Sequence, residues 1–297
     1  MNLEMAYLLG MICGNGEIKR GEVNTTVSIE IPHKKMQTED NNDVRIYVKA
    51  SITDIRAILE PLIGVDLQCI QQNNVTIMSF TKPNGDFLIR TILQYVGNAA
   101  SHENVRIDRS VFNFSRDERI SFLRGFSDVT GYIRRSNYYF KKFLHRVYIE
   151  IPHNWLLVVD ICNLLKSVDV PVQTIDWAHP NIRDGKLTKY NQGYPNFWKK
   201  EHQIKIWANE FEPIGFAVIH KRESLSKLAT ELREGIIAEG KDVSHETHRF
   251  YWETRGSNKA RPHHPGETDN FIPVEIRGNH YDSWKEIAHD LGYREDS

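Results

Sequence analysis

The hydrophobic and polar positions of this chain form two helical runs, each broken by an internal glycine, closed by a second glycine and followed by strand-like alternation. The first is LLGMICGNGEI, Leu8 to Ile18, and the second FLRGFSDVTGYI, Phe122 to Ile133. Gly10 matches Gly125, Gly16 matches Gly131 and Ala6 matches Ser121, all at an offset of 115 residues. At i, i+4 spacing Ala6, Gly10 and Gly14 share one helix face, and Ser121, Gly125 and Val129 share one face of the other. A glycine inside a helix weakens it. Two matched internal glycines therefore predict a pair of helices that approach closely.

The alternation downstream extends the duplication. RIYVKAS (Arg45 to Ser51) and RVYIEIP (Arg146 to Pro152) both alternate as half-buried strands do, and each leads into a helical segment. IEIPH occurs at Ile29 and again at Ile149, but the first copy runs into the polar loop KKMQTEDNND and the second directly into a helix. The first copy is therefore read as a chance match or a neighbouring strand. The predicted order is helix, two strands, helix, two strands, helix, written twice. Its first unit has helices over 3–14, 52–63 and 84–97, with strands near 18–31, 43–51 and 65–80. Ser115 to Glu118 reads as a capping box that opens the second motif helix. The second unit continues with strands near 132–151, a helix over 154–168, strands near 171–177 and 202–208, and helices to about 237. The fold class is α+β: a first unit over 1–105, a second over 106–237, and a loop-rich extension with a terminal helix over 238–297.

Composition changes this picture little. Lys and Arg (38) nearly cancel Asp and Glu (39), so a nucleic-acid surface has to be a local patch. Cys13, Cys69 and Cys162 are far apart in apolar surroundings and read as buried thiols of a reduced cytoplasmic protein. The longest apolar run, WLLVVDICNLL from Trp155, contains Asp160 and Asn163 and is too short to span a bilayer. No membrane partner is expected.

The two motifs resemble those of the LAGLIDADG homing endonuclease family in its single-chain form. One copy would be weak evidence, but two with matching downstream elements are a specific signal. The resemblance implies paired motif helices at a pseudo-two-fold axis, two saddle-shaped sheets in a DNA major groove, and an acid at each helix tip holding a shared metal. Here the acid positions fall on Asn15 and Thr130. Neither side chain supplies the carboxylate that Mg²⁺ prefers. Asp128, two residues before Thr130, lies about 200° around the helix and points away. Glu17 follows Gly16 but has Tyr132 as its counterpart. Asp128, Glu17 or a group in the tail would have to substitute, and the expectation is a lost nuclease centre without a cofactor. Mg²⁺ would be needed if cutting survives.

What remains under that resemblance is a DNA-reading surface. Its candidates are Arg20, Asn24, Thr26, Ser28, Arg45, Tyr47 and Lys49 in the first unit. In the second they are Arg134, Arg135, Lys141, Lys142, Arg146, Gln203 and Lys205. Cations on strands neutralise phosphates, while Arg, Asn, Gln and Thr read base edges. A plain solvated sheet face is the alternative. The insertion HPNIRDGKLTKYNQGYPNFWKK mixes cations with aromatics and suits either contact or a hydrophilic loop. The tail carries several histidines without zinc-finger spacing. The leading expectation is a monomeric, sequence-specific binder of double-stranded DNA that does not cut alone, acting as a regulator or as the recognition subunit beside a nuclease partner of a restriction system. Two others stand beside it: an active endonuclease with a shifted metal site, and a splicing helper that binds intron RNA.

Overall fold

The computed structural model describes residues 1–38, 43–97, 105–135, 145–152, 154–176 and 201–238, with three short strands beyond them. Lys141, Lys142, the whole 179–200 insertion and the terminal helical segment lie outside the described residues.

At the centre are α1 (Leu3–Asn15) and α5 (Arg116–Thr130). Each has a built N-terminus: the Asn2 side chain accepts from the Met5 N–H, and Ser115 and Glu118 form the expected reciprocal capping box. The helices touch backbone to backbone. A Cβ built on Gly10 would stand 1.9 Å from the Phe122 carbonyl oxygen, and one on Gly125 would stand 2.1 Å from that of Tyr7. Phe122 follows Tyr7 by the same 115 residues that relate Gly125 to Gly10. The reciprocal contacts are thus those of a pseudo-two-fold axis. The Ser121 hydroxyl donates to the Leu3 carbonyl at 2.7 Å across the same seam.

Each central helix runs into one antiparallel sheet. The first unit comprises β1 (Gly16–Arg20), β2 (Asn24–Pro32), α2 (His33–Met36), α3 (Val44–Ile63), β3 (Gln68–Gln71), β4 (Val75–Pro83) and α4 (Phe87–Val96). Its strand order is β1-β2-β4-β3. After a 3-10 turn over Arg109–Asn113 and α5, the second unit comprises β5 (Gly131–Arg134), β6 (Arg146–Pro152), α6 (Trp155–Lys166), β7 (Thr174–Asp176), β8 (Glu201–Trp207), α7 (Ala208–Phe211) and α8 (Ile219–Ala238). Its order, β5-β6-β8-β7, repeats the first, with β9 (Tyr251–Glu253) added parallel to β7. A separate hairpin joins β10 (Val274–Ile276) to β11 (Asn279–Tyr281). Buried apolar residues of both sheets and the central pair form one core.

Three expectations are corrected. RIYVKAS is not a strand but the first two turns of α3, capped by the Asp43 carboxylate on the Arg45 N–H. Alternation would bury Ile46, which is 60% exposed; the helix instead buries Tyr47, Val48, Ser51, Ile55, Leu59 and Ile63 at helical spacing. IEIPH is the true repeat unit. Gly16 pairs with Ile29 in the first hairpin and Gly131 with Ile149 in the second, so both copies are the same strand of the two units. Cys69 is exposed rather than buried, although all three thiols are free as expected. Among the described residues no helix is long and apolar enough to cross a membrane.

Candidate nucleic-acid interface and the cleft at the helix tips

Strand register defines the open face of the first sheet. Ile18, Val27, Ile29, Ile31, Met78 and Phe80 point into the core, so Glu17 and Lys19, Thr26, Ser28 and Glu30, and Ile77, Ser79 and Thr81 share the other side. Cross-strand rows are Glu17–Ser28–Ser79–Gln68 and Lys19–Thr26–Thr81, the last two hydroxyls 2.8 Å apart. Asn24 is exposed at the outer end of β2. Arg20 has the parity of buried Ile18 and falls on the opposite side from Thr26 and Ser28. Arg45 and Lys49 leave the sheet altogether, exposed on α3, where Arg45 lines a separate cleft of about 540 Å³ with His33 and Gln71. Tyr47 is buried, its ring 4.6 Å from that of His220. This face is hydroxylic and close to neutral.

The second face has another chemistry. Tyr132 and Tyr148 lie opposite each other and stack at 5.3 Å with an 8° tilt. In the next row Arg134 faces Arg146, whose guanidinium lies 4.5 Å above the Trp207 ring. Arg135 is drawn off the sheet by Glu231 of α8 at 2.8 Å. Gln203 and Lys205 share the face by register, but both are buried, at 9% and 3% exposure, so neither is presented as a solvent-facing reader.

Between the two sheets the tips of α1 and α5 meet. The Asn15 amide donates to the Val129 carbonyl at 3.0 Å, and the Thr130 hydroxyl donates back to the Phe126 carbonyl at 2.7 Å. Both side chains at the matched positions are thus neutral and used within the helix pair. The proposed substitutes do not stand in for them. Glu17 is half-exposed, pairs with Lys19 at 3.0 Å and is not among the residues lining the central cleft. Asp128 is fully buried on the far side, accepting from the Tyr7 hydroxyl and the Ala217 N–H, both at 2.9 Å. Burial drives its carboxyl above the usual carboxylate range. Lys221 Nζ lies 3.9 Å from Asp128 and donates to the carbonyls of Ser127, Asp128 and Gly131 at the C-terminus of α5.

The cleft at the tips measures about 690 Å³ and is lined by Asn15, Thr130, Glu30, Lys34, Lys35 and Glu150 among others. Sequence reasoning missed its main feature. Glu150 of β6 accepts from the Tyr132 hydroxyl at 2.9 Å and the Gln203 amide at 2.8 Å, both on one oxygen. Its other oxygen holds the Lys35 ammonium, with Lys34 Nζ 3.7 Å away. Lys35 also lies 4.9 Å from the Tyr132 ring centre. The repeat of IEIPH, once accepted, would have pointed to Glu30 and Glu150 as equivalents. A divalent metal implied by the motif resemblance does not fit these residues: the tips offer an amide and a hydroxyl, and the buried carboxylate is consumed by protein donors. Among the described residues no group of three or more His, Cys, Asp or Glu side chains is placed to hold a metal ion.

No protein-family model and no curated protein matches the chain. Solved structures similar to it in fold at low identity include I-DmoI in complex with DNA and Ca (17% identity, 81% of this chain, 100% of that chain, TM-score 0.40), the homing endonuclease I-WcaI bound to its DNA recognition sequence (14%, 81%, 87%, 0.41) and full-length WhiA from Thermatoga maritima (12%, 82%, 63%, 0.41).

Proposed function

We propose that this protein binds double-stranded DNA sequence-specifically and does not cut it unaided. The observation that carries the second half is the state of the helix tips. Asn15 and Thr130 stand together where the motif expects acids, both neutral and each donating a hydrogen bond inside the helix pair. Metal-assisted hydrolysis needs an ion held by charged ligands so that water is activated and the leaving oxygen balanced. The first half is supported by the duplicated motif and by two sheets hung on one helix pair, with hydroxyl and amide groups on one open face and arginines on the other. A regulator, or the recognition subunit beside a separate nuclease, is the role that suits such a binder.

Selection of bound sites from a random duplex library tests the reading, followed by incubation of the winning site with Mg²⁺ or Mn²⁺. The expected result is a discrete site left intact, with affinity falling roughly tenfold or more between 50 and 200 mM salt. Discrete fragments would restore the endonuclease reading. One observation favours a second ligand. The Tyr132–Tyr148 stack and the Arg146–Trp207 pair offer flat surfaces of the kind that receive unstacked bases. Competition of intron-like RNA hairpins against the selected duplex separates the two: complete displacement by RNA at equal concentration would favour the splicing-helper role.

A further inference from the structure

The strongest unexplained feature is a buried ion pair that crosses between the units at the spot where the motif helices end. Lys35 sits on α2, a single turn at the end of β2 in the first unit, and is 4% exposed. Glu150 sits on β6 of the second and is 9% exposed. An ion pair so far out of water persists only when the remaining hydrogen-bonding capacity of both partners is met. For Glu150 it is met: Tyr132 and Gln203 occupy one carboxylate oxygen and the lysines the other. The C-terminal ends of α1 and α5 wall the same cleft through Asn15 and Thr130, and helix C-termini carry partial negative charge. That region attracts a cation. The sequence provides one, covalently, in the lysine pair that follows Ile-Pro-His in the first unit; the second unit has Asn154 and Trp155 at that place.

We propose that Lys35, held by Glu150, is the resident cation of the central cleft: it takes the place of a divalent metal ion, and it leaves the exposed Lys34 beside it to face a nucleic-acid backbone phosphate there. A lysine ammonium is a compact, strongly hydrated point charge that binds phosphate without fixed geometry. Lys34 is the more accessible of the two, with 56% of its side chain exposed. An incoming metal ion would have to expel Lys35 from its partner before it reached the carboxylate. The phosphate half of this inference rests on the DNA-binding reading above; the metal half does not.

The test uses the full chain and Mn²⁺ alone, read by electron paramagnetic resonance or calorimetry. Wild-type protein is expected to take up no Mn²⁺ in the micromolar range. Lys35→Met is expected to bind Mn²⁺ at least about tenfold more tightly than the wild type, and Lys35→Met/Glu150→Gln to lose that gain. Micromolar Mn²⁺ binding by the wild type that Glu150→Gln abolishes would overturn the proposal, with no need for a lysine variant to fold. In DNA binding, chelator should shift wild-type affinity less than about twofold, while Lys34→Met weakens it about tenfold and Lys34→Arg keeps it. Unchanged affinity in a folded Lys34→Met protein would remove the phosphate half. If the wild type binds no nucleic acid at all, the DNA reading fails and the Mn²⁺ titration still decides the metal half.

Discussion

Lys221 shows how much one side chain holds in this fold. Its ammonium is fully buried, donates to three carbonyls at the end of α5, lies 4.2 Å from the Phe216 ring and faces Asp128. Burial lowers its pKa to about 8, and burial raises those of Asp128 and of Tyr7, which donates to it. His220, Asp54 and Arg124 are further charged or titratable neighbours of this cluster. The sign for Lys221 follows: below about 8 it is charged in both states, and its contribution to stability rises between about 8 and the ordinary lysine value as the unfolded chain binds more protons. Lys221→Met removes the buried cation facing Asp128 and leaves a buried carboxylate, which costs about 3–5 kcal/mol. That deficit should shrink as the pH falls through the raised Asp128 value, because the protonated acid no longer needs a partner. Thermal unfolding at acidic and neutral pH checks it, and a deficit independent of pH would refute the pairing. The thiols offer a milder test. Cys69 is exposed, whereas Cys13 and Cys162 are buried and burial pushes the Cys13 thiol up to about 12. A thiol reagent added to the native protein should consume one equivalent quickly and the other two only on unfolding.

At the scale of elements the helix pair is the feature most sensitive to a single methyl group. A Cβ on Gly10 or Gly125 meets main-chain carbonyl atoms, which cannot rotate out of the way. Gly10→Ala and Gly125→Ala should each destabilise the fold by at least about 1–3 kcal/mol through overpacking, visible as a fall in melting temperature. Gly85 has nothing within 4 Å of its would-be Cβ, so Gly85→Ala is the neutral control. This pair was legible in the sequence because period and glycine spacing are local properties. Most other elements were legible for the same reason. The failure at Arg45 to Ser51 came from seven residues that alternate by chance within a longer helical pattern; the decisive positions, Ile55, Leu59 and Ile63, lie beyond that window. IEIPH was dismissed because α2 and its loop are inserted after the first copy only. The helix tips could be read from motif spacing, yet Lys35 against Glu150 could not. That contact joins residues 115 apart through tertiary packing, and a Lys-Lys pair in a polar stretch reads as solvated surface.

Across the whole molecule the two open faces differ in chemistry, and the difference constrains the target. The first face carries Thr26, Ser28, Ser79 and Thr81 with Glu17, Lys19 and Glu30, so its charges nearly cancel. The second carries Arg134 and Arg146 beside stacked tyrosines. A pseudo-symmetric scaffold therefore presents unlike halves, and if it binds DNA as proposed the site should be asymmetric, one half read through hydroxyl groups and the other gripped through its backbone. Arg146→Ala should weaken binding to all sequences alike and reduce the salt slope by about 1, the signature of one lost phosphate contact. Thr26→Val with Ser28→Ala should leave that slope unchanged and flatten base preference over one half of the site. Net charge supports the division: at −1 for the whole chain, general attraction to DNA is absent, so each local cation weighs heavily. A palindromic consensus from the library selection, or a salt slope that moves with the hydroxyl substitutions and not with Arg146, would show that the halves do not divide the work in this way.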